Sequence, residues 1–430
     1  MIKKFLFDLS GFANYRELWL NRLIVLLAFV LPFSEGFAKK ILAVIFLLWL
    51  STLNKEKIFN TLKERPIIYF GILTLAMLLS VVYTTEYSYN LTLFNRFVIY
   101  ILLPMMIISS SVRKDYIMIV ISGFLFSMFI SEVISYGILF DFWLELKHGY
   151  PVYFMPHVFY GVLLSFTILI MTYHATRIQN KLYKMVIIFF ILTMIGNLVI
   201  SGARTGQIIL VLSFILTNLL FYKIKMRLIL KIVLLPIIIS SIAYNVYPKF
   251  KVRADRIIID IEQVVEKQNY NTPLGTRIGG YVLTYKMIQS NTIFENLFGH
   301  GAGDIHKEKA EASKKYFGGK MFEQEYFSQF HSSYMDVFGW LGLVGLVLTV
   351  LFLYSIYRIK IEDEFLRYIK LSLFFVLVFA YFPDSGLDSQ YVMLLTSIFI
   401  GLLLVQQRLE REEITPIIES DNSINNRAKD

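Results

Sequence analysis

The sequence predicts an all-α polytopic membrane protein with about 12 transmembrane helices, because three features of its apolar residues point the same way. The chain has 430 residues, 56% of them hydrophobic, and its mean hydropathy is +0.60. The apolar residues form uninterrupted runs close to the ~20 residues that a helix needs to cross ~30 Å of hydrocarbon. Only one connection between runs is long, which predicts a large periplasmic-type loop between spans nine and ten.

The apolar runs give the order and the approximate bounds of the spans. They lie at residues 18–33, 37–53, 67–83, 95–110, 116–140, 156–173, 185–200, 205–222, 228–247, 332–357, 366–382 and 389–406. The first run lacks a small-residue cleavage site and is followed at once by another apolar run. It is therefore predicted to be a span and not a removable signal peptide.

Four regions follow from these bounds. Residues 1–247 hold spans one to nine, residues 248–331 form a folded loop subdomain, and residues 332–406 hold spans ten to twelve. Within the loop, apolar residues recur on one side of a segment that runs from about Asp255 to Gln268, which predicts a helix. Residues 407–430 are polar and are predicted to be a disordered cytoplasmic tail.

Lysine and arginine are distributed unevenly over the two sides of the predicted bundle. With the N-terminus in the cytoplasm, the segments on that side carry most of the basic residues, whereas the short loops opposite carry Lys147 and Arg204. Both termini are therefore predicted to be cytoplasmic. The net charge of +10 is mainly this topology signal and does not indicate nucleic-acid binding. The absence of cysteine excludes disulfides and thiolate metal ligands.

Three polar sites fall on the outer side in this topology. The first is the turn of residues 201–206, in which Arg204 stands at the start of span eight. Free backbone N–H groups and the positive end of the helix dipole make such a position an anion site. An arginine in an outer loop can equally extend to lipid headgroup phosphates, so the hexapeptide alone leaves both interpretations open.

The second site is Arg277, at the start of a loop helix predicted to reach about Gln289. A guanidinium there can bind a phosphate bidentately, or it can be a solvated helix-end charge. Downstream, Gly299, Gly301 and Gly303 have the G-x-G-x-G spacing, but no strand precedes them. A dinucleotide-binding fold is therefore excluded, and a tight turn that returns the loop to the membrane is predicted.

The third site is His331, directly before span ten. The positive end of the helix dipole disfavours a charged imidazole, and a neutral histidine is a competent general base. Ser332 or Ser333 is predicted to cap the helix. Asp336 is not on the same helix face as His331, so it either orients the site or faces a neighbouring helix. An interfacial histidine bonded to a loop carbonyl is the simpler alternative.

In their order along the chain, the three sites and the glycine segment resemble the motifs of a superfamily of bacterial envelope glycosyltransferases, the O-antigen ligases and O-antigen polymerases. They resemble O-antigen ligase most. The resemblance covers roughly residues 195–357 and rests on the turn 201–206 before an apolar span, the loop arginine, the segment 297–303, and the run 331–346. The chain departs from the family pattern at three positions: Ala203 replaces a serine, Ser332 replaces an asparagine, and Asn296 stands where proline is frequent.

The resemblance implies an activity and roles for individual residues. The activity is a metal-independent and cofactor-independent transfer of a glycan from undecaprenyl diphosphate to a sugar hydroxyl of lipid A–core, at the periplasmic face of the inner membrane. His331 would activate the acceptor, while Arg204 and Arg277 would bind the diphosphate. Apart from the resemblance, Arg96 near the outer end of span four would be unfavourable in lipid, so it is predicted to face a polar cavity and to contact the diphosphate there. Supporting roles fall to Ser201, Ser332, Tyr334, Asp336 and Asp384. The partners are thus the lipid-linked donor, the lipid A–core acceptor and membrane lipids, without nucleic acid.

Two alternatives to a ligase remain at this point. An O-antigen polymerase would use a second lipid-linked repeat unit as its acceptor, and one sequence barely separates it from a ligase. A transporter of lipid-linked glycans would have a similar number of spans. Transporters commonly bury ionisable pairs at mid-membrane depth and contain internal repeats, and neither feature is evident here.

Overall fold

The computed structural model describes residues 2–52, 55–142, 151–223, 241, 244–245, 248–272, 274–317 and 330–427. These residues form helices and no strand. Eight helical segments are long and apolar enough to cross a membrane: Arg65–Val82, Tyr87–Ser111, Lys114–Leu139, His157–Arg177, Lys181–Ile200, Arg204–Tyr222, Ser333–Tyr357 and Gln390–Glu413. An all-helical multi-pass membrane protein is thereby confirmed. The count of 12 stays a prediction, since span nine at residues 228–247 lies largely outside the described residues.

The α-helices are numbered in chain order. They are α1 (Ile2–Val30), α2 (Glu35–Ser51), α3 (Lys55–Leu62), α4 (Arg65–Leu79), α5 (Tyr87–Phe97), α6 (Leu103–Ser111), α7 (Lys114–Leu139), α8 (His157–Arg177), α9 (Lys181–Ile200), α10 (Arg204–Tyr222), α11 (Pro248–Val265), α12 (Gly275–Ser290), α13 (Ile293–Phe298), α14 (Ile305–Phe317), α15 (Ser333–Tyr357), α16 (Glu364–Ala380) and α17 (Gln390–Arg427).

Two of these helices bear on the predicted bounds. Helix α17 continues to Arg427, well beyond residue 406, where hydropathy ends the last span. The disordered tail and the division into regions stay predictions. Helix α11 overlaps the helix predicted at 255–268, and α12 begins and ends close to the predicted bounds of the loop helix.

The two ends of the helical bundle differ in chemistry. At one end, exposed ion pairs join neighbouring helices: Arg177 with Glu364 at 2.5 Å, Lys114 with Glu413 at 2.6 Å, and Arg411 with Glu64 at 2.8 Å. At the other end lie the α9–α10 turn, the start of α15, the α16–α17 connection and the long loop. The candidate site residues gather at this second end.

The long loop is fastened to α15 through backbone contacts. The N–H of His300 donates to the carbonyl of Gly339 at 2.9 Å, and the N–H of Gly301 donates to that of Trp340 at 3.0 Å. Helix α15 is kinked at Gly342, whose φ is +60°. The kink lets the backbone of residues 297–298 approach so closely that a Cβ at Gly342 would lie 2.5 Å from the carbonyl carbon of Leu297.

Replacing Gly342 with alanine is therefore expected to destabilise the protein by about 1–3 kcal/mol, because an L side chain is strained at this φ and meets backbone that cannot rotate away. The thermal unfolding midpoint in detergent measures the effect. The matched control is Gly71→Ala in α4, where a Cβ would meet nothing within 4 Å. Equal midpoints for the two variants would contradict the close packing at the kink.

Candidate functional site

The centre of the candidate site is the connection between α16 and α17, residues 381–388. Consecutive carbonyl groups of this connection accept hydrogen bonds from separate parts of the chain. The Ser332 hydroxyl donates to the carbonyl of residue 381 at 3.2 Å, the Tyr281 hydroxyl to that of residue 382 at 2.5 Å, and Arg277 Nε to that of residue 383 at 3.0 Å. The connection therefore brings the loop helix α12 and the start of α15 together.

Arg277 lies in the first turn of α12, as the sequence predicts, and its guanidinium is held from two directions. Besides the carbonyl of Pro383, it contacts Asp384 Oδ2 at 3.3 Å. The Arg277 side chain stays 28% exposed, whereas that of Asp384 is 11% exposed. The arginine is thus fixed in place and still reaches the surface of the site.

His331 occupies a strained backbone position. Its φ is +55°, a region that side-chain-bearing residues rarely adopt. Asp336 holds this conformation in place, since its carboxylate accepts the N–H of Phe330 at 2.7 Å and the hydroxyl of Ser385 at 2.5 Å. Asp336 thus contacts both the backbone next to His331 and the neighbouring 381–388 connection.

The prediction of a serine cap for α15 is right in the position of the serine and wrong in the hydrogen bond. Ser332 is the N-cap residue, but its side chain makes no capping hydrogen bond. Its hydroxyl bonds to the 381–388 connection instead, and the Ser333 hydroxyl does the same by donating to the Asp384 carbonyl at 3.2 Å. Tyr334 points elsewhere and donates to the carbonyl of Val378 in α16 at 3.1 Å. The hydroxyl groups of both serines therefore make tertiary contacts and do not cap the helix.

The environment of His331 favours its neutral form. Burial lowers the pKa of His331 below its usual value of 6.5; the charge of Asp384 opposes this, while those of Arg277 and Lys309 add to it. The positive end of α15 acts in the same direction. His331 can therefore accept a proton at neutral pH, which is the property that a general base needs.

Two residues near this site, Lys309 and His157, could not be identified from the sequence. Lys309 in α14 is 2% exposed, and its ammonium lies 5.0 Å from the ring centre of Phe330, next to His331. Burial lowers the pKa of Lys309 to about 8, against the opposing charge of Asp336. His157, at the start of α8, experiences the charges of both Asp384 and Arg277. No spacing in the sequence links His157 to those residues, and Lys309 stands among other lysines in a polar segment.

Arg204 begins α10 and is exposed; its side chain has no hydrogen-bond or ion-pair partner among the described residues. The preceding turn, including buried Ser201, packs on α8, where a Cβ on Gly206 would lie 2.7 Å from Cα of Gly161. His157 stands one helical turn before Gly161 on the same helix. Helix α8 therefore connects the Arg204 turn to His157, on which the charges of Asp384 and Arg277 act.

Arg96 is placed differently from the other two arginines. It forms an ion pair with Asp388 at 2.5 Å, and the Asp388 side chain is only 6% exposed. Just after Arg96, residues Val98–Leu102 form a π-helical turn ahead of Pro104, which lacks the N–H needed to continue a regular α-helix. Arg96 thus ties the helical segment of residues 87–111 to the end of the 381–388 connection.

The glycine-rich segment forms a tight turn, as predicted. Asp304 after this turn fastens the loop to residues 85–86, a contact that we call the clamp. Gly299 and Gly301 have φ values of +75° and +78°. Asp304, which follows, accepts the backbone N–H groups of Thr85 at 2.8 Å and Glu86 at 2.9 Å. Burial opposes its charge, but these hydrogen bonds outweigh burial and lower the pKa of Asp304. The clamp therefore contributes stability above the unfolded-state pKa of ~3.9, which is lost as pH falls through the lower folded-state pKa.

Asp304→Asn is expected to loosen the loop, because a neutral amide binds the two N–H groups more weakly than a carboxylate does. Limited proteolysis at neutral pH should cut residues 248–317 roughly tenfold faster in this variant. The control is Glu311→Gln, which removes an exposed charge from α14. An unchanged rate for Asp304→Asn would show that the clamp does not hold the loop.

Fold and site together define a multi-pass membrane protein with a cationic, histidine-bearing site at one end of its bundle. Within the described ranges, no group of three or more His, Cys, Asp or Glu residues is placed to hold a metal ion. Residues 189–350 match the family model described as O-antigen ligase, which confirms the resemblance drawn from the motifs over this part of the chain. No curated protein matches the chain. The match supports a membrane glycosyltransferase-type enzyme of O-antigen assembly.

Proposed function

We propose that this protein is an O-antigen ligase that moves a glycan from undecaprenyl diphosphate to a sugar hydroxyl of lipid A–core. The observation that carries the proposal is that Arg277 and Ser332, the neighbour of His331, both bond to the 381–388 connection, with Arg277 and His331 inside a chain segment that matches the ligase family. An arginine that can bind an anion and a histidine that can accept a proton are the two groups that this transfer requires.

The donor needs charge stabilisation, since diphosphate is already a good leaving group. Arg277 is held with 28% of its side chain exposed, and buried Lys309 adds positive charge nearby. Arg204 supplies an exposed guanidinium at the N-terminus of α10. We assign Arg96 to positioning, because its ion pair with Asp388 is closer, at 2.5 Å, than that of Arg277 with Asp384, at 3.3 Å. Arg277 and Arg204 then bind the diphosphate.

The acceptor needs a base, since a sugar hydroxyl is a poor nucleophile. The acceptor oxygen attacks the anomeric carbon of the donor, its proton passes to the His331 imidazole, and the bond to the diphosphate breaks with the electron pair leaving on oxygen. Asp336 keeps the strained backbone of residues 330–331 in place, and Asp384 keeps Arg277 aligned. Both carboxylates act as positioning groups.

The proposed location is the bacterial inner membrane, with both termini in the cytoplasm and the site in the periplasm. The ion-paired end of the bundle contains the segments that are rich in basic residues, and such segments resist translocation. The candidate site lies at the other end, where a lipid-linked donor in the outer leaflet can present its diphosphate.

The test is a transfer assay with the purified full-length protein in detergent, supplied with lipid-linked donor and lipid A–core. The ligase proposal expects glycan joined to lipid A–core, without any ion gradient. Elongation of one lipid-linked unit by another would identify a polymerase instead. No product in detergent, combined with movement of donor across liposome membranes, would replace the proposal with transport.

A further inference from the structure

A polar cavity lies at the ion-paired end of the bundle, opposite the end that holds the candidate site. Its volume is about 610 Å³. The wall is formed by the α3–α4 connection, the end of α15 with the residues after it, and one face of α17. In the orientation proposed above, this end faces the cytoplasm, so the cavity has no part in the transfer reaction.

The cavity carries an excess of positive charge. Its wall includes six basic side chains, Lys63, Arg65, Arg358, Lys360, Arg408 and Arg411, and two acidic ones, Glu64 and Glu412. The two carboxylates are already engaged, Glu64 with Arg411 at 2.8 Å and Glu412 with Arg408 at 3.8 Å. The other four cations have no carboxylate partner among the described residues.

An unpartnered polar group lies in the same wall. Gln407 is 6% exposed, yet its amide makes no hydrogen bond with any described residue, and its Oε1 is fully buried. Its Nε2 amide group is a hydrogen-bond donor, and an anion in the cavity can accept a hydrogen bond from it. The first turn of α4 lies in the wall as well, and its N-cap residue Glu64 makes no side-chain capping bond.

Hydrogen bonds within the protein fix the part of the cavity wall that contains Arg358 and Lys360. The buried ammonium of Lys370 donates to the carbonyl of Ile359 at 2.8 Å, between Arg358 and Lys360. Glu410 on α17 accepts the N–H groups of Glu362 at 2.7 Å and Asp363 at 3.1 Å. These bonds hold residues 358–363 against α16 and α17. Basic residues that only determine the orientation of the helices in the membrane would not need a fixed backbone.

We infer that this cavity binds a phosphate-bearing anion between α4, α15 and α17, with Arg65, Arg358 and Lys360 contacting the phosphoryl oxygens and the Gln407 amide contacting a neighbouring polar group. The same chemistry is offered by the headgroup of an anionic phospholipid in the adjoining leaflet and by a free phosphate or diphosphate. Each cation near an anionic lipid surface increases the binding affinity. Loss of two cations should therefore weaken binding roughly tenfold.

The experiment uses the full-length protein in phosphatidylcholine nanodiscs. Phosphatidylglycerol is added in one arm, inorganic pyrophosphate in the other, and binding is measured by native mass spectrometry and by the shift in thermal midpoint. The double variant Arg358→Gln/Lys360→Gln is expected to bind about tenfold more weakly. Gln407→Leu, which leaves every charge in place, should weaken binding too.

The matched control is Lys181→Gln/Lys184→Gln, which removes two exposed cations from the start of α9 at the same end of the bundle. A loss confined to the cavity variants supports the site, and the arm that shows it identifies a lipid or a soluble anion. Equal losses in both double variants, or no saturable binding of either probe, would overturn the inference. Neither result bears on the ligase proposal, which the transfer assay tests separately.

Discussion

Replacing His331 with asparagine is expected to lower the transfer rate by roughly 10²–10⁴-fold while leaving the fold intact. Asparagine tolerates the left-handed backbone conformation that His331 adopts better than alanine does, yet it cannot accept a proton at neutral pH. Turnover by the purified protein, with donor and acceptor both saturating, measures the effect. The loss should appear in kcat, with little change in KM for the donor.

The control for this variant is His174→Asn, at the opposite end of the bundle in α8. The pH profile of the unchanged protein gives a second test. Since burial holds the pKa of His331 below 6.5, the imidazole is neutral at pH 7, and the rate should stay level there and decline only as pH falls through that lower pKa. Normal turnover by His331→Asn, or a rate that rises at acid pH, would refute a general-base role.

Replacing Arg277 with lysine is expected to reduce kcat/KM by roughly 10²–10³-fold, although the positive charge is kept. A lysine ammonium cannot reproduce the planar fork that contacts the Pro383 carbonyl and Asp384 together and still faces the site. The expected signature is a higher KM for the lipid-linked donor and weaker inhibition by undecaprenyl diphosphate. KM for the acceptor should change little.

Lys286→Gln is the control for Arg277, because it removes a cation from the same loop helix two to three turns away. A merely structural role of Arg277 would disturb both substrates alike, since Asp384 would lose its partner and the 381–388 connection would shift. Parallel increases in both KM values, or full activity, would therefore exclude Arg277 as a ligand of the diphosphate.

The sequence predicts the helical class and the order of the chemical groups well, for a physical reason. Spans are set by local hydropathy, and Arg277 and His331 each lie beside a recognisable helix start. Helix α12 accordingly falls close to its predicted bounds. Long-range pairings carry no local signal, so the contact of Arg277 with Asp384, or of Arg96 with Asp388, could not be deduced from spacing.

Local rules also fail where tertiary contacts compete with them. Ser332 has the residue type and position of a helix cap, yet the free carbonyls of the 381–388 connection take its hydroxyl, and Asp336 binds the backbone nearby instead. Buried Lys309 could not be singled out either, because only the packing of α14 against Phe330 distinguishes it from the exposed lysines of the same segment.

The 381–388 connection has a consequence for how the protein is made. The loop helices and the start of α15 precede the 381–388 connection in the chain, so they leave the ribosome before the backbone that holds them. Arg277 and Ser332 can therefore take up their observed positions only after the connection between α16 and α17 has been made. A chain truncated after α15 would therefore lack the backbone that fixes Arg277 and the start of α15 in the candidate site.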